Sequence, residues 1–304
     1  MPHGHRVESS ILSAVRVRNH KLVGHWYRLS KDIGRTLEDP RFVVMHYTAG
    51  GSGAASRDYM LKSPTQKQRL LGAARKVYAS AHVIVDRDGS VWQIVPFNRM
   101  ARHAGTSSWK GLESLNRYSI GIEIANYGWL DPQGDGSYRR SDTPRFAAED
   151  VTVAPMPGGT RTMGWENYPT DQLDAVDRVT RALLAAYPSI SEVLGHEEIS
   201  PGRKFDPGPA FPMACFRNLL DSRGLGAIEE DPETEAPARE RYETTVRLNI
   251  RGGPGTDFEK LDVSPLDKGT VLERLDEDGP WMKVHLVDTD DVVGWVHGSY
   301  LRLV

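Results

Sequence analysis

Residues 224–243, GLGAIEEDPETEAPARERYE, divide this chain in two. The run is acidic, contains Pro232 and Pro237, and offers almost no apolar side chain to a core, so it reads as an extended linker. The stretches on either side must each bury their own apolar surface. One domain therefore ends near Arg223 and another begins near Glu243, and 304 residues suffice for one large and one small domain. The expected layout is an N-terminal extension (1–39), a main domain (40–223), the linker (224–242) and a small C-terminal domain (243–304).

Ahead of the linker, helix and strand signals alternate. RFVVMHY (41–47) is a short apolar run with β-branched and aromatic residues, the pattern of a buried strand. SAHVIVDRDGSVWQIVP (80–96) is two alternating runs around Asp86-Arg87-Asp88-Gly89, a hairpin. YSIGIEIAN (118–126) and SEVLGH (191–196) read as strands, and 52–79 as one or two short helices. Leu173, Val176, Val179, Leu183 and Leu184 recur at helical spacing within 168–188, with Thr170 as the N-cap and Pro188 as the stop. A last helix is expected over 209–224, ending at a glycine. The sum is an α/β domain, a mixed sheet flanked by helices. Residues 127–167 are rich in Gly, Pro, Ser, Asp and Arg, show no lasting period, and read as a long insertion loop. Beyond the linker, short strand runs separated by turns predict a small all-β barrel.

Charge is uneven. Residues 1–223 hold 29 basic and 23 acidic residues (+6), whereas 224–304 hold 9 basic and 18 acidic residues (−9). A mildly basic main domain suits an anionic polymer, although solvated faces that happen to differ account for it equally well. Without a basic stripe interleaved with aromatics, no nucleic-acid partner is expected. No run approaches the ~18 apolar residues of a membrane span, so no membrane insertion is expected. The N-terminus lacks the charged-then-apolar layout of a secretory signal. The single cysteine, Cys215, lies in an apolar helix-like run and reads as a small core residue.

Four histidines stand in informative contexts: His46, His82, His103 and His196. His46 and His196 each end a strand, and Asp206 follows His196 by ten residues in a Pro/Gly-rich loop. Two strand-end histidines and a loop carboxylate can form a three-ligand zinc site with its fourth position open. Spacing alone does not separate this from histidines that serve as hydrogen-bonded structural residues. Other motifs fail. His196-Glu197-Glu198 starts like a zincin helix, but Ser200 stands where the second histidine belongs, and no Gly-Lys-Ser/Thr follows the glycines at 50–53.

Taken together, FVVMHYTAG, SAHVIVDRDGSVWQIVPFNRMARHAG, NRYSIGIEIAN and GHEEISPGRKFDPGPAF resemble the type-2 N-acetylmuramoyl-L-alanine amidases, in order over roughly residues 40–220. The resemblance implies the type-2 amidase fold and a Zn2+ cofactor held by His46, His196 and Asp206. It implies that Glu123 acts on the attacking water and that Lys204 stabilises the anionic intermediate. Among the family's recurrent histidines, it implies a structural role near the site for His82 and a groove-lining role for His103. Trp109 and Asn116 are further candidates for substrate contact. Arg102 departs from the pattern, standing where many relatives carry tryptophan.

VRLNIRGGPGTDF, Lys268-Gly269-Thr270, GPWMKVHL and VVGWVHGSYL resemble the bacterial SH3-like modules of cell-wall enzymes. Trp281, Trp295 and Tyr300 are there as readily core as ligand platform. The two resemblances imply a hydrolase cutting the amide between N-acetylmuramic acid and L-alanine, with peptidoglycan as its partner. It would be made in the cytoplasm without a recognisable signal peptide and act at the wall. The alternatives are a cytoplasmic amidase recycling muropeptides and a recognition protein that binds peptidoglycan without cutting it.

Overall fold

The computed structural model describes residues 15–37, 39–141, 143–221, 240–287 and 292–304. The chain forms two compact units, Met1–Gly226 and Ala227–Val304. Most of the expected linker, 224–239, including Gly224, the expected end of the last helix, lies outside the described residues. No described helix is long and apolar enough to cross a membrane.

The first unit is built on a six-stranded mixed sheet. Its strands are β3 (Trp26–Tyr27), β4 (Phe42–Tyr47), β5 (Val83–Val85), β6 (Val91–Gln93), β9 (Ser119–Ile124) and β14 (Glu192–Gly195). They lie in the order β14-β4-β9-β5-β6-β3. β4 runs parallel to both β14 and β9, while β5 and β6 form the antiparallel hairpin the sequence predicts. Small two-stranded pieces accompany this sheet: β1 (Val17–Arg18) with β2 (Lys21–Leu22), and β7 (Ser108–Trp109) with β8 (Leu112–Glu113). The segment read as an N-terminal extension thus supplies an edge strand, and it adds Leu22 and Leu37 to the core.

Strand alternation gives the sheet two different faces. Val43 and Met45 of β4 and the three isoleucines of β9 pack on one side, under the helices α3 (Thr170–Ala186) and α5 (Met213–Asp221). Phe42 and Val44 belong to a second cluster on the other side, which His46 shares by period. α3 shows why the helical reading succeeds: Ala175, Val176, Val179 and Leu183 form one buried stripe. Its cap is Pro169, with Thr170 the first helical residue. α1 (Gly53–Met60) and α2 (Pro64–Leu71) fill the 52–79 stretch, the latter started by a Ser63–Gln66 capping box. α4 (His196–Ile199) is a single turn directly after β14.

Two expectations fail here. Cys215 is exposed, because α5 turns Phe216 and Leu219 inward and leaves position 215 on its outer side. Residues 127–167 are not a bare loop. They form a second sheet, β11-β10-β13-β12, from β10 (Trp129–Pro132), β11 (Tyr138–Arg139), β12 (Val151–Pro155) and β13 (Thr162–Glu166). Trp165 is buried there, its indole N–H donating to the Ala154 carbonyl at 3.2 Å.

The second unit is a five-stranded antiparallel sheet in the order β18-β17-β16-β15-β19. Its strands are β15 (Arg241–Thr244), β16 (Val271–Asp278), β17 (Trp281–Leu286), β18 (Val293–His297) and β19 (Leu301–Leu303). Leu248, Ile250, Leu272, Val284 and Val296 form its core. Trp281 and Trp295 are half-buried and Tyr300 is exposed, so none of the three belongs to that core.

Within the first unit, the inserted sheet is fastened to the turn of the β5–β6 hairpin by Glu166. Its carboxylate pairs with the Arg87 guanidinium through two hydrogen bonds, the Nη2–Oε2 one at 2.9 Å, and accepts the Tyr127 backbone N–H at 2.6 Å. The Glu166 side chain is 4% exposed and that of Arg87 29%, so removing the carboxylate strands a partly buried cation. Glu166→Ala is expected to cost about 2–3 kcal/mol in urea unfolding of the first unit. A change below ~0.5 kcal/mol would mean that the pair does not fasten the sheet.

Candidate metal and catalytic site

The parallel strands β14, β4 and β9 end side by side, and three candidate residues lie at their carboxyl ends, where open α/β sheets commonly place ligands. His46 stands next to last in β4, and Glu123 is its register partner on β9. His196 is the first residue after β14. Asp206 arrives on the loop after α4. That loop is held by the Glu197 N–H donating to the Asp206 carbonyl (2.9 Å) and by the Tyr168 hydroxyl donating to the Pro207 carbonyl (2.9 Å).

Nδ1 of His46, Nδ1 of His196 and Oδ2 of Asp206 form a nearly equilateral triangle with edges of 2.9, 2.9 and 3.0 Å. All three side chains are buried. His196 donates its Nε2 proton to the Ala104 carbonyl at 3.1 Å, which leaves the lone pair on Nδ1, inside the triangle. Nε2 of His46 lies 2.9 Å from Nδ1 of His103. With the His46 proton on Nε2, its Nδ1 lone pair also points inward. Burial and the neighbouring His196 lower His46 to about 4. Two neutral imidazole nitrogens and an ionised carboxylate oxygen, all aimed at one point, are a donor set for a divalent transition cation. Tetrahedral coordination at zinc's usual bond lengths needs edges of ~3.3 Å, a small expansion of this triangle.

Glu123 is half-buried, and its Oε2 is buried without a hydrogen-bond partner among the described residues. Burial, reinforced by the Asp206 charge, raises its pKa to about 8. Lys204 lines the same cavity; its backbone N–H donates to the Ser200 carbonyl at 3.1 Å, and its ammonium makes no hydrogen bond or ion pair among the described residues. The cavity measures about 690 Å³ and is also lined by Tyr47, Tyr78, Arg102, Trp129 and Arg140.

The structure sorts the remaining candidates. His103 borders the cavity but spends Nδ1 on His46, so it orients that ring as well as lining the groove. It fits because Gly121 lies behind it: a Cβ there would fall 2.4 Å from the His103 ring. Asn116 lines the cavity too, but its Oδ1 accepts the backbone N–H groups of His103 and Ala104, shaping the loop that carries them. Trp109 does not line the cavity. Its indole faces the Glu192 carboxylate at 3.3 Å, because β7 and β8 pack it against Leu115 and Leu194. His82 is fully buried and has no substrate-facing atom: Nδ1 accepts the Gly121 N–H (3.0 Å) and Nε2 donates to the Arg99 carbonyl (2.9 Å). Sequence reading missed Arg203, whose guanidinium ties the Ala104 and Thr106 carbonyls to Ser200. Its place beside Lys204 was the only signal. It also missed Trp129 and Arg140, which lie in the stretch without a period.

Residues 36–209 match the family of N-acetylmuramoyl-L-alanine amidases, and residues 246–302 match the bacterial SH3 domain. The chain belongs to this amidase family and carries a bacterial SH3 domain after the family's domain. It is 37% identical over 142 residues to the 1,6-anhydro-N-acetylmuramyl-L-alanine amidase AmpD of Escherichia coli K12, covering 46% of this chain and 58% of that protein. It is 30% identical over 245 residues to the N-acetylmuramoyl-L-alanine amidase AmiD of the same organism, covering 76% of this chain and 72% of that one. Among solved structures, a selenomethionine AmpD derivative aligns at 28% identity with a TM-score of 0.47, covering 67% of this chain and 98% of that one. The chain thus spans a little over half the length of the Escherichia coli AmpD.

Burial lowers the His82 pKa to about 4, against the bond to the Arg99 carbonyl. The unfolded chain takes up this proton below pH ~6.5, before the folded protein does. The stability contributed by neutral His82 is therefore complete above ~6.5 and lost as pH falls towards 4. Nitrogen-15 NMR at pH 5 is expected to show a neutral His82 ring protonated at Nε2; an imidazolium there would contradict these contacts.

Proposed function

We propose that this chain is a zinc-dependent N-acetylmuramoyl-L-alanine amidase that hydrolyses the lactyl amide between N-acetylmuramic acid and L-alanine. The observation that supports this most is the buried triangle of His46, His196 and Asp206 beside an unpartnered carboxylate and a cavity of substrate size. The three side chains would hold the metal. When bound, zinc supplies Lewis acidity that makes water a competent nucleophile at neutral pH.

Glu123 takes the proton from the attacking water. The resulting carboxyl can then pass that proton to the leaving nitrogen as the C–N bond breaks. The Lys204 ammonium offsets the negative charge that develops on the scissile carbonyl oxygen. His103 and the Ala104 carbonyl hold the two imidazoles in the tautomers that keep their lone pairs inward. The products are a free lactyl carboxylate and the amine of L-alanine.

The bacterial SH3 domain supports a polymer substrate, with that domain holding the enzyme on the wall and raising its local concentration. The likeness to AmpD, a 1,6-anhydro-N-acetylmuramyl-L-alanine amidase, favours a second reading, cleavage of soluble anhydro-muropeptides. Rates on intact sacculi and on small anhydro-muropeptides separate the two.

Mass spectrometry of digested sacculi is expected to show free lactyl groups and new L-alanine amines together. Chelator should abolish both, and zinc should restore them. Glu123→Gln and Lys204→Met are each expected to lower kcat by about 10²-fold or more. Release of reducing sugar ends without L-alanine amines would refute the proposal.

A further inference from the structure

The stretch between α1 and β5 carries an exposed apolar tip ringed by cations. Residues 59–85 contain Lys62, Lys67, Arg69, Arg75 and Lys76 and no acidic residue. Leu70 and Leu71 end α2 at 62% and 58% exposure, and Tyr78 is 53% exposed. Arg69, Arg75 and Lys76 are exposed beside them and make no ion pair among the described residues. The neighbouring carboxylates are committed: Asp58, just ahead of the stretch, pairs with Arg57, and the buried Asp32 pairs with Lys67, each at 2.8 Å.

The tip is held in place from beneath. Lys67 is fully buried, and its ammonium donates to the Asp32 carboxylate and to the Ala79 carbonyl, while that carboxylate accepts the Ala79 N–H at 2.8 Å. α2 stops on Gly72 in the left-handed conformation, and the Ala73 and Val77 N–H groups donate to the Gln68 and Pro64 carbonyls. Residues 72–78 are thereby folded back on the helix. A lone exposed leucine needs no explanation, but an adjacent pair kept outward by such a frame calls for an apolar partner from outside.

The cations decide which partner. A second copy of the same face would set like charges against each other. A soluble polyanion would use the cations and leave both leucines in water. An anionic phospholipid surface uses both, with leucines at the acyl boundary and guanidinium and ammonium groups among the phosphates. A tyrosine at the edge suits the same boundary, its ring apolar and its hydroxyl wet. We propose that the tip formed by Arg69–Leu71 and Arg75–Tyr78 docks the first unit on an anionic phospholipid bilayer. Tyr78 also lines the cavity, so docking turns the cavity mouth towards the membrane face. The contact is with the surface of one leaflet and is not a span. It stands apart from the amidase reading, because it asks nothing of the metal or of the scissile bond.

The test is co-sedimentation of the full chain with vesicles of phosphatidylglycerol and, in parallel, of phosphatidylcholine. Wild type is expected to bind phosphatidylglycerol about tenfold or more tightly than phosphatidylcholine. Leu70→Ser with Leu71→Ser should weaken that binding by about tenfold or more, yet leave binding to dextran sulfate, a soluble polyanion, unchanged. Arg75→Gln with Lys76→Gln should weaken both and flatten their dependence on salt. An environment-sensitive fluorophore on Ala74→Cys, in a Cys215→Ser background, should shift to the blue on phosphatidylglycerol vesicles, which locates the contact without touching the leucines. The proposal is overturned if wild type does not favour phosphatidylglycerol, or if the leucine variant binds it as wild type does. It is equally overturned if the fluorophore stays unshifted while the labelled protein sediments with the vesicles.

Discussion

Three buried polar atoms converge within 3.0 Å of one another where β14, β4 and the 200–212 loop meet. Such a cluster is unfavourable unless a positive charge lies between the atoms, because two imidazole lone pairs and a carboxylate repel without solvent to relieve them. Much of the surrounding architecture serves to hold it. The Ala104 carbonyl and His103 fix the two rings, Asn116 and Arg203 fix the loop that supplies Ala104, and Gly121 leaves room for the His103 ring. Hydrogen bonds made on folding hold the donor set in place, so that a cation would find it already arranged.

The alternation of two short strands makes this possible. In FVVMHY and SIGIEI, every second residue is a large apolar one that anchors the sheet against α3 and α5. The residues between them put the candidate site residues on the opposite face: His46 on β4 and Glu123 on β9, with small Ser119 and Gly121 ahead of Glu123. A shift of one residue in register would send His46 into the hydrocarbon core. The apolar face therefore positions the candidate site.

Much of this was legible in the sequence because its signals are local. The 42–47 and 119–124 strands, the 83–93 hairpin and α3 announce themselves by period within a few residues. What escaped depends on pairings across long separations. β10 pairs with β13 some 35 residues away, between strands of two to five residues broken by Gly and Pro, so no period builds up and the sheet reads as a loop. The separate duties of His82 and His103 follow from which carbonyl and amide groups face each ring, and composition carries no trace of that. Cys215 was misread for a related reason: the run around it is apolar, but the phase of α5 points its neighbours inward instead.

The central claim is that His46, His196 and Asp206 together hold one divalent ion. The most direct measurement is X-ray diffraction from zinc-loaded crystals on both sides of the zinc absorption edge. The account predicts one anomalous peak per chain in the first unit, within ~2.2 Å of Nδ1 of His46, Nδ1 of His196 and Oδ2 of Asp206. A peak elsewhere, or zinc bound equally tightly by Asp206→Ala, would contradict it.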